Sequence, residues 1–347
     1  MRTFDLAKGT LMLVVILVHM FPYYDLSRYP VLTPFLSLAQ IAAYGAMAVF
    51  YIMSGYGFKE RSVKATLKKT FDEMIKPYLV VMVCAAFLFP IVHFLNYRWW
   101  PNAIRETGKL VLAFLVGAKE SGKTLFGYEI YSCSVAWFLL AMFTAHNVLN
   151  LILKIKNMKL QALTAVFLFF AGFALYQIDF FYYCIPDALM MVEAIYIGYI
   201  VKKYKLMNQL VNSRTVCFFL WMLAGMAVIL QQNGALYENS PYFVKNLVNQ
   251  CISYLLLFYG IKADRYENKA ADLFRTIGIY TYWIMCIHCV ELVVIPWYRW
   301  GAVMSAHPVL AFLIDGCVKA VIILSGCKML KTISKYNYKR KMKRYAQ

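Results

Sequence analysis

Eight ionisable side chains stand inside long apolar stretches of this sequence, where a charge is expensive. A charged group in the hydrocarbon of a membrane costs several kcal/mol unless it faces other protein groups or a water-filled cavity. Residues at such positions are therefore candidates for chemistry. They are His19, His93, His146, Glu193, His288, Glu291, Asp315 and Lys319.

His19 is the strongest of these candidates, because a cation precedes it on the same helical face. Ten residues separate Lys8 from His19. This places the two side chains about 16 Å apart along a helix axis, after about three turns. A phosphate-bearing donor could dock on the Lys8 ammonium and extend its reactive end toward the imidazole. The alternative is a single histidine packed for structural reasons.

Two further pairs have helical spacing. His288 and Glu291 are three residues apart and share one face. They fit a proton-relay pair and a buried structural hydrogen bond equally well, so both interpretations stay open. Asp315 and Lys319 are four apart, and we expect them to pair with each other as a structural contact.

The remaining three candidates have weaker claims. Glu193 has no partner in its own helix, so we expect one on a neighbouring helix or a cavity around it. His93 and His146 lie toward the ends of their apolar stretches. We interpret both as solvated or snorkelling side chains.

The elements that must position these residues are membrane-spanning helices. Of 347 residues, 62% are hydrophobic and 15% charged, and the mean hydropathy is +0.59. A water-soluble domain needs nearer a quarter charged residues to cover its surface. The net charge of +19 does not indicate nucleic-acid binding, because the basic residues alternate with apolar runs and form no aromatic-interleaved basic face.

The apolar runs predict an all-α, polytopic transmembrane bundle with ten spans. A helix needs about 17–25 apolar residues to cross the hydrocarbon core. The segment Leu110–Ala118 is too short and is interpreted as interfacial or re-entrant. The predicted spans lie near 9–23, 34–57, 77–97, 134–153, 160–177, 185–201, 215–231, 247–261, 276–295 and 306–327.

Lys and Arg in the loops predict the orientation. With both termini in the cytoplasm, 27 of the 36 basic residues lie on the inner side, eight lie outside and Lys319 lies within a span. The outer eight include Arg28, Arg98 and Lys119. The sequence therefore predicts a membrane-embedded domain over residues 1–331 and a basic cytoplasmic tail over 332–347.

A series of short motifs occurs along the chain in a recognisable order, beginning with the segment that contains His19. The first motif consists of the opening segment 2–9 followed by Val14, Val15, Leu17 and His19. It contains a basic residue, ten intervening residues and a histidine. The later motifs are Phe50–Gly55, Lys76–Tyr78, Trp137–Leu139, Gly198–Tyr199, Ile277–Gly278, Tyr280–Tyr282 and Ile287–His288. Together they resemble the acyltransferase type 3 family, membrane O-acyltransferases that modify bacterial surface sugars.

One family feature has no counterpart here. Members usually carry two arginines three apart just before the Pro and Tyr of the third span. Those positions hold Thr70 and Glu73, or Phe71 and Met74, depending on the residue from which they are counted. Lysines of the same loop would have to supply the charge, as point charges rather than planar forks.

The resemblance implies transfer of an acyl group, usually acetyl, from cytoplasmic acetyl-CoA to a hydroxyl of an extracytoplasmic glycan or lipid-linked sugar. It implies a multi-pass protein of the bacterial cytoplasmic membrane with no metal and no nucleic-acid partner. His19 would be the general base, or a transiently acylated nucleophile. His288 and Glu291 are second-choice participants. The cytoplasmic cations expected to bind the CoA phosphates are Lys8, Arg61, Lys64, Lys68 and Lys69.

Further expectations concern details and alternatives. Asp5 would orient Lys8, and Ser54 and Trp137 are candidate donors to the oxyanion. Two other functions stay open. The chain could be a transporter or flippase for a lipid-linked sugar, although no inverted repeat is visible. It could also be a catalytically idle partner of a wall-synthesis complex, which the missing arginines would suit.

Overall fold

The computed structural model of the protein describes residues 4–24, 26, 29–125, 127–233 and 242–345. Most of the described chain is helical. The helices of the first half are α1 (Asp5–Val18), α2 (Thr33–Gly57), α3 (Val63–Thr70), α4 (Lys76–Tyr97), α5 (Trp100–Val116), α6 (Trp137–Ile152) and α7 (Met158–Gln177). A short antiparallel pair of strands, β1 (Thr124–Leu125) and β2 (Tyr128–Glu129), precedes α6.

The second half continues the bundle. Its helices are α8 (Ile185–Met190), α9 (Val192–Lys203), α10 (Met207–Asn212), α11 (Arg214–Gln232), α12 (Tyr242–Ala263), α13 (Lys269–Val294), α14 (Trp297–Val303) and α15 (Pro308–Tyr345). α15 continues as helix through most of the predicted basic tail. Arg2, Thr3 and Arg28, which entered the motif and the charge count, lie outside the described residues, as do residues 234–241 and 346–347.

Several helices are long and apolar enough to cross a membrane, which confirms a transmembrane helical bundle. Among the described residues there are seven, or eight if the bent pair Tyr182–Met190 and Val192–Lys203, with its 48° bend, is one span. The predicted seventh and eighth spans coincide with α11, whose apolar part is short, and with α12. α12 carries the buried polar residues Asn246, Gln250 and Ser253. The count of ten and the orientation therefore stay predictions.

The predicted interfacial segment Leu110–Ala118 belongs to the end of α5 and the turn after it. α5 is not among the helices that are long and apolar enough to span. It packs against α4, where the Tyr78 hydroxyl donates to the Phe114 carbonyl at 2.5 Å. The segment is thus held to the bundle by side-chain contacts from a spanning helix.

Polar caps define the starts of helices at the ends that the charge pattern places in the cytoplasm. Ser62 accepts a hydrogen bond from the Ala65 amide, and Ser213 accepts one from Val216. Asn157 and Asn268 do the same at the starts of α7 and α13. These side chains satisfy backbone N–H groups that have no partner within the helix.

Two pairs of glycines let helices approach backbone to backbone. A Cβ on Gly9 of α1 would lie 1.9 Å from the Phe274 carbonyl oxygen, and one on Gly278 of α13 would lie 1.7 Å from that of Asp5. Only a residue without a side chain fits such a contact. This approach fixes α1 along α13, the helices that carry His19 and His288.

The second pair joins α2 to α9 in the same way. A Cβ on Gly55 would lie 1.9 Å from the Ile195 carbonyl oxygen, and one on Gly198 would lie 2.0 Å from that of Ile52. Gly55, Gly198 and Gly278 belong to the later motifs on which the family resemblance depends. The motif glycines therefore act first as helix-packing residues.

Residues Phe71–Ile75 join α3 to α4 as a π-helical turn. Such wide turns interrupt the regular hydrogen-bond ladder and often occur at functional sites. Here the Tyr282 hydroxyl, from α13, donates to the Glu73 carbonyl at 2.7 Å. The turn lies where the family usually carries its paired arginines.

Candidate active site

His19 lies at the C-terminal end of α1, where it is half-buried. Its Nδ1 is 2.7 Å from the Val15 carbonyl oxygen. A carbonyl only accepts, so Nδ1 carries the hydrogen and, in the neutral ring, Nε2 is the basic nitrogen. The ring meets that of His288 edge to face, with centroids 5.5 Å apart and planes at 79°.

A cavity of about 890 Å³ extends along α1 from Lys8 to His19 and also reaches His288. Aromatic residues, including Phe50, Trp137 and Phe138, form much of its wall, and Asp72, Glu73 and Pro77 also line it. We refer to it as the large cavity. The structure thus places both residues of the predicted path on one open space, with the cation near one end.

A second cavity, of about 340 Å³, lies on the other side of His19; we refer to it as the small cavity. The two cavities lie toward opposite ends of α4. Pro77, at the start of α4, lines the large cavity, whereas Asn96 and Tyr97, at its end, line the small cavity. His19 lines both cavities. The small cavity is also lined by Tyr23, His93, Tyr131, Ser132, Trp297 and Tyr298.

Behind the two histidines lies a buried cluster of charged side chains. His288 Nδ1 is 2.7 Å from Glu291 Oε2, and Lys319 of α15 binds Glu291 Oε1. Lys319 Nζ is also 3.5 Å from Asp315 Oδ1. The Tyr24 hydroxyl donates to Asp315 Oδ2 at 3.0 Å. None of the four charged or imidazole side chains is more than 3% exposed.

The cluster contains both pairs that helical spacing predicts, and it joins them. The Asp315–Lys319 contact was expected; the bond from Lys319 to Glu291 was not, because it crosses from α15 to α13. Trp297 completes the enclosure, with Lys319 Nζ 3.7 Å from the centroid of its ring, a cation–π contact. Among the described residues, His288 Nε2 and Asp315 Oδ1 have no hydrogen-bond partner.

Lys8 is the predicted donor-binding residue that reaches the large cavity. Its ammonium is 3.2 Å from Asp5 Oδ1, which is the orienting contact expected from the sequence. The side chain is about one-third exposed. It is therefore held in place while remaining accessible to an anion.

The other four predicted cations are elsewhere. Among the described residues that line either cavity, none is Arg61, Lys64, Lys68 or Lys69. The three lysines are exposed on α3. Lys69 pairs with Glu73 at 2.9 Å. None of the four therefore belongs to the wall of the large cavity, although Lys69 is paired with Glu73, which does.

The positions of the missing arginines also have structural partners. Thr70 is buried, its hydroxyl donates to the Thr66 carbonyl, and Asn147 of α6 donates to it at 2.9 Å. Glu73 and Met74 line the large cavity. In one alignment a buried threonine and an acidic side chain stand where two guanidinium groups are usual, and in the other an exposed phenylalanine and a methionine do.

The interpretation of His146 as a solvated side chain is wrong. It is only 5% exposed, and its ring stacks on Phe58 at a centroid distance of 5.7 Å. Its Nδ1 is 2.8 Å from the Met142 carbonyl oxygen, and its Nε2 is 2.7 Å from the Ser54 hydroxyl. The contact comes from α2, which no spacing within α6 could reveal.

This contact also decides what Ser54 can do. Nδ1 of His146 donates to a carbonyl, so Nε2 accepts and the Ser54 hydroxyl is the donor. Although Ser54 lines the large cavity beside Trp137, its hydrogen is already used. It is therefore a poor candidate for stabilising an oxyanion.

The two remaining candidates are half-buried in different surroundings. His93 packs between Phe89 and Tyr97, with ring centroids 5.6 and 4.5 Å away, and lines the small cavity. Glu193 accepts a hydrogen bond from Gln250 of α12. Its partner is on a neighbouring helix, as expected.

Comparison with known proteins adds a family to this geometry. A family model described as an acyltransferase domain matches residues 1–327 of the 347. No curated protein and no solved structure gives a significant match. The matched region includes α1, α13 and most of the span in α15, and so contains every residue of the site. The chain belongs to the acyltransferase type 3 family of membrane acyltransferases.

Proposed function

We propose that this acyltransferase moves an acyl group, acetyl in the simplest case, from cytoplasmic acyl-CoA to a hydroxyl of an extracytoplasmic glycan. The observation that carries the proposal is the position of His19, which lines both the large cavity and the small cavity. A donor and an acceptor can then approach one imidazole from opposite sides of the bundle.

The large cavity suits the donor. Its Lys8 end is the cytoplasmic end if the excess of basic residues lies inside. Lys8 can bind a phosphate there, while the apolar wall accepts a flexible chain. The reach from Lys8 to His19, about 16 Å along the helix, leaves the thioester next to His19 and His288.

The small cavity suits a sugar acceptor. Aromatic side chains such as Tyr97, Tyr131 and Trp297 offer flat apolar surfaces with polar edges. Asn96 and Ser132 add hydrogen-bonding groups. A sugar ring presents apolar C–H faces and polar hydroxyls, and so matches a pocket of few polar groups among aromatic ones.

The chemistry follows from the two imidazoles. His19 Nε2 takes the proton of the acceptor hydroxyl as its oxygen attacks the thioester carbon. The carbon–sulfur bond breaks, and the sulfur leaves as a thiolate that takes a proton from His288 Nε2. The proton on His19 then returns to His288, whose ring lies edge to face with that of His19. The products are an ester and CoA with a free thiol, and both histidines end as they began.

Membrane vesicles of opposite orientation test donor, side and acceptor together. Acetyl-CoA labelled in its acetyl group does not cross membranes, so only everted vesicles should incorporate label into envelope glycans. Mild alkali should release that label, because the bond is an ester. The matched control is a preparation with His19→Ala.

Other outcomes have definite meanings. Equal labelling of right-side-out vesicles would contradict the assigned side. A folded wild-type protein that consumes no acetyl-CoA would favour the transporter or the idle partner. Label retained on the protein without acceptor, and absent in His19→Ala, would show that Nε2 carries the acyl group transiently.

A further inference from the structure

Among the described residues, the charges of the buried cluster behind His19 balance only if the cluster holds one extra proton. Glu291 and Asp315 each contribute one negative charge when ionised, and Lys319 contributes one positive charge. With His288 neutral the sum is −1. An uncompensated charge is very unfavourable at sites so little exposed, so one group of the cluster is expected to carry a proton.

The hydrogen-bond directions decide where that proton fits. Both oxygens of Asp315 face donors, since Oδ2 accepts from the Tyr24 hydroxyl and Oδ1 lies 3.5 Å from the Lys319 ammonium. A proton on Oδ1 would face the Lys319 ammonium, and a proton on Oδ2 would require the Tyr24 hydroxyl to accept instead of donate. His288 Nδ1 faces an acceptor, Glu291 Oε2, and its Nε2 has no partner among the described residues. The hydrogen-bond geometry therefore allows the extra proton on Nε2 of His288.

We propose that Asp315 and Lys319 are positioning residues that, together with Glu291, fix the charge around His288 at −1, so that this histidine, which lines the large cavity, carries a proton on Nε2. Within the part of the chain that the structure describes, the other titratable groups near the cluster are, in their ordinary forms near neutral pH, uncharged. They are His19, Tyr23, Tyr24, Cys133 and Cys289. The use of this proton by the departing thiolate rests on the proposed function; the protonation itself does not.

Nitrogen NMR of the full-length protein with ¹⁵N-labelled histidine tests the protonation without any substrate. The chain has five histidines, and the signals of His288 are identified by their loss in His288→Gln. Asp315→Asn removes one negative charge and should move the titration midpoint of His288 to lower pH. Lys319→Met removes the positive charge and should move it to higher pH. Each shift should be about one pH unit or more, as for other close charges.

The double variant Asp315→Asn with Lys319→Met is the sharpest test. Glu291 alone then supplies −1, the same total as in the wild type, so the midpoint should return toward its original value. A merely structural role would lower the folded yield without these opposed shifts. Glu193→Gln is the matched control, because it neutralises a membrane carboxylate that is bonded to Gln250 instead, and it should leave the midpoint unchanged.

A milder variant keeps the test available if Asp315→Asn does not fold. Tyr24→Phe removes the hydrogen bond to Asp315 Oδ2, makes the ionised carboxylate less favourable, and should lower the midpoint of His288 by a smaller amount. An unchanged midpoint in Asp315→Asn, or in Tyr24→Phe, would show that Asp315 holds the proton itself and would overturn the proposal. Failure of the vesicle assay with these NMR shifts intact would reject the proposed function alone.

Discussion

His19 and His146 have the same local arrangement in different helices and differ in what faces their second nitrogen. Each ring bonds through Nδ1 to the carbonyl four residues earlier, at 2.7 Å for His19 and 2.8 Å for His146. Ser54 binds Nε2 of His146, and Phe58 covers that ring. His19 instead lines two cavities and contacts His288. A buried histidine becomes a candidate for catalysis when its surroundings leave the basic nitrogen accessible.

The largest contrast should come from replacing the two histidines in turn. His19→Ala removes the proposed base, and acyl transfer should fall by about 10²–10⁴-fold. The melting temperature should change little, because the side chain lines open space. The measurement is release of CoA thiol per folded molecule, together with a thermal melt.

His146→Ala is the matched control and should behave in the opposite way. It leaves the Ser54 hydroxyl without its acceptor and opens a space beside Phe58, so stability should fall by about 1–3 kcal/mol. Turnover per folded molecule should stay within about twofold of the wild type. Full activity in folded His19→Ala would reject its assignment and redirect attention to His288 and Glu291.

The glycine contacts allow a second test of the same contrast. Gly278→Ala and Gly198→Ala each force apart two backbones in near contact and should cost about 1–3 kcal/mol. Only Gly278→Ala separates α1 from α13, the helices of His19 and His288. It should therefore lower turnover at least several-fold more than Gly198→Ala when both are measured on folded protein. Equal turnover would show that this helix approach does not set the geometry of the two imidazoles.

The smallest effects concern the cations of the donor end. Lys8→Ala should weaken acetyl-CoA binding about tenfold, since a hydrogen bond to a charged group contributes about 1.5–3 kcal/mol. Lys68→Ala with Lys69→Ala should weaken it less than about threefold, because exposed charges contribute little and are screened by salt. Titration calorimetry at two salt concentrations makes the comparison. A larger loss in the double variant would place the phosphates on α3 and away from Lys8.

The sequence by itself determined the features that follow from one helix at a time. Apolar length predicts a membrane bundle, and the predicted spans fall on helices of the structure, the sixth of them on the bent pair α8 and α9. Helical periodicity places Lys8 and His19 on one face, and it pairs His288 with Glu291 and Asp315 with Lys319. These predictions succeed because spacing along a single helix fixes which side chains share a face.

Contacts between helices were decided only by the tertiary structure. Spacing gives no sign that Lys319 binds Glu291, that Ser54 fills the second nitrogen of His146, or that α3 holds its lysines outside the large cavity. Each depends on how far one helix is rotated and shifted against another. That register is set by the packing of many side chains and by close approaches such as Gly9 against Phe274. A pattern that repeats within one helix carries no information about the register between two helices.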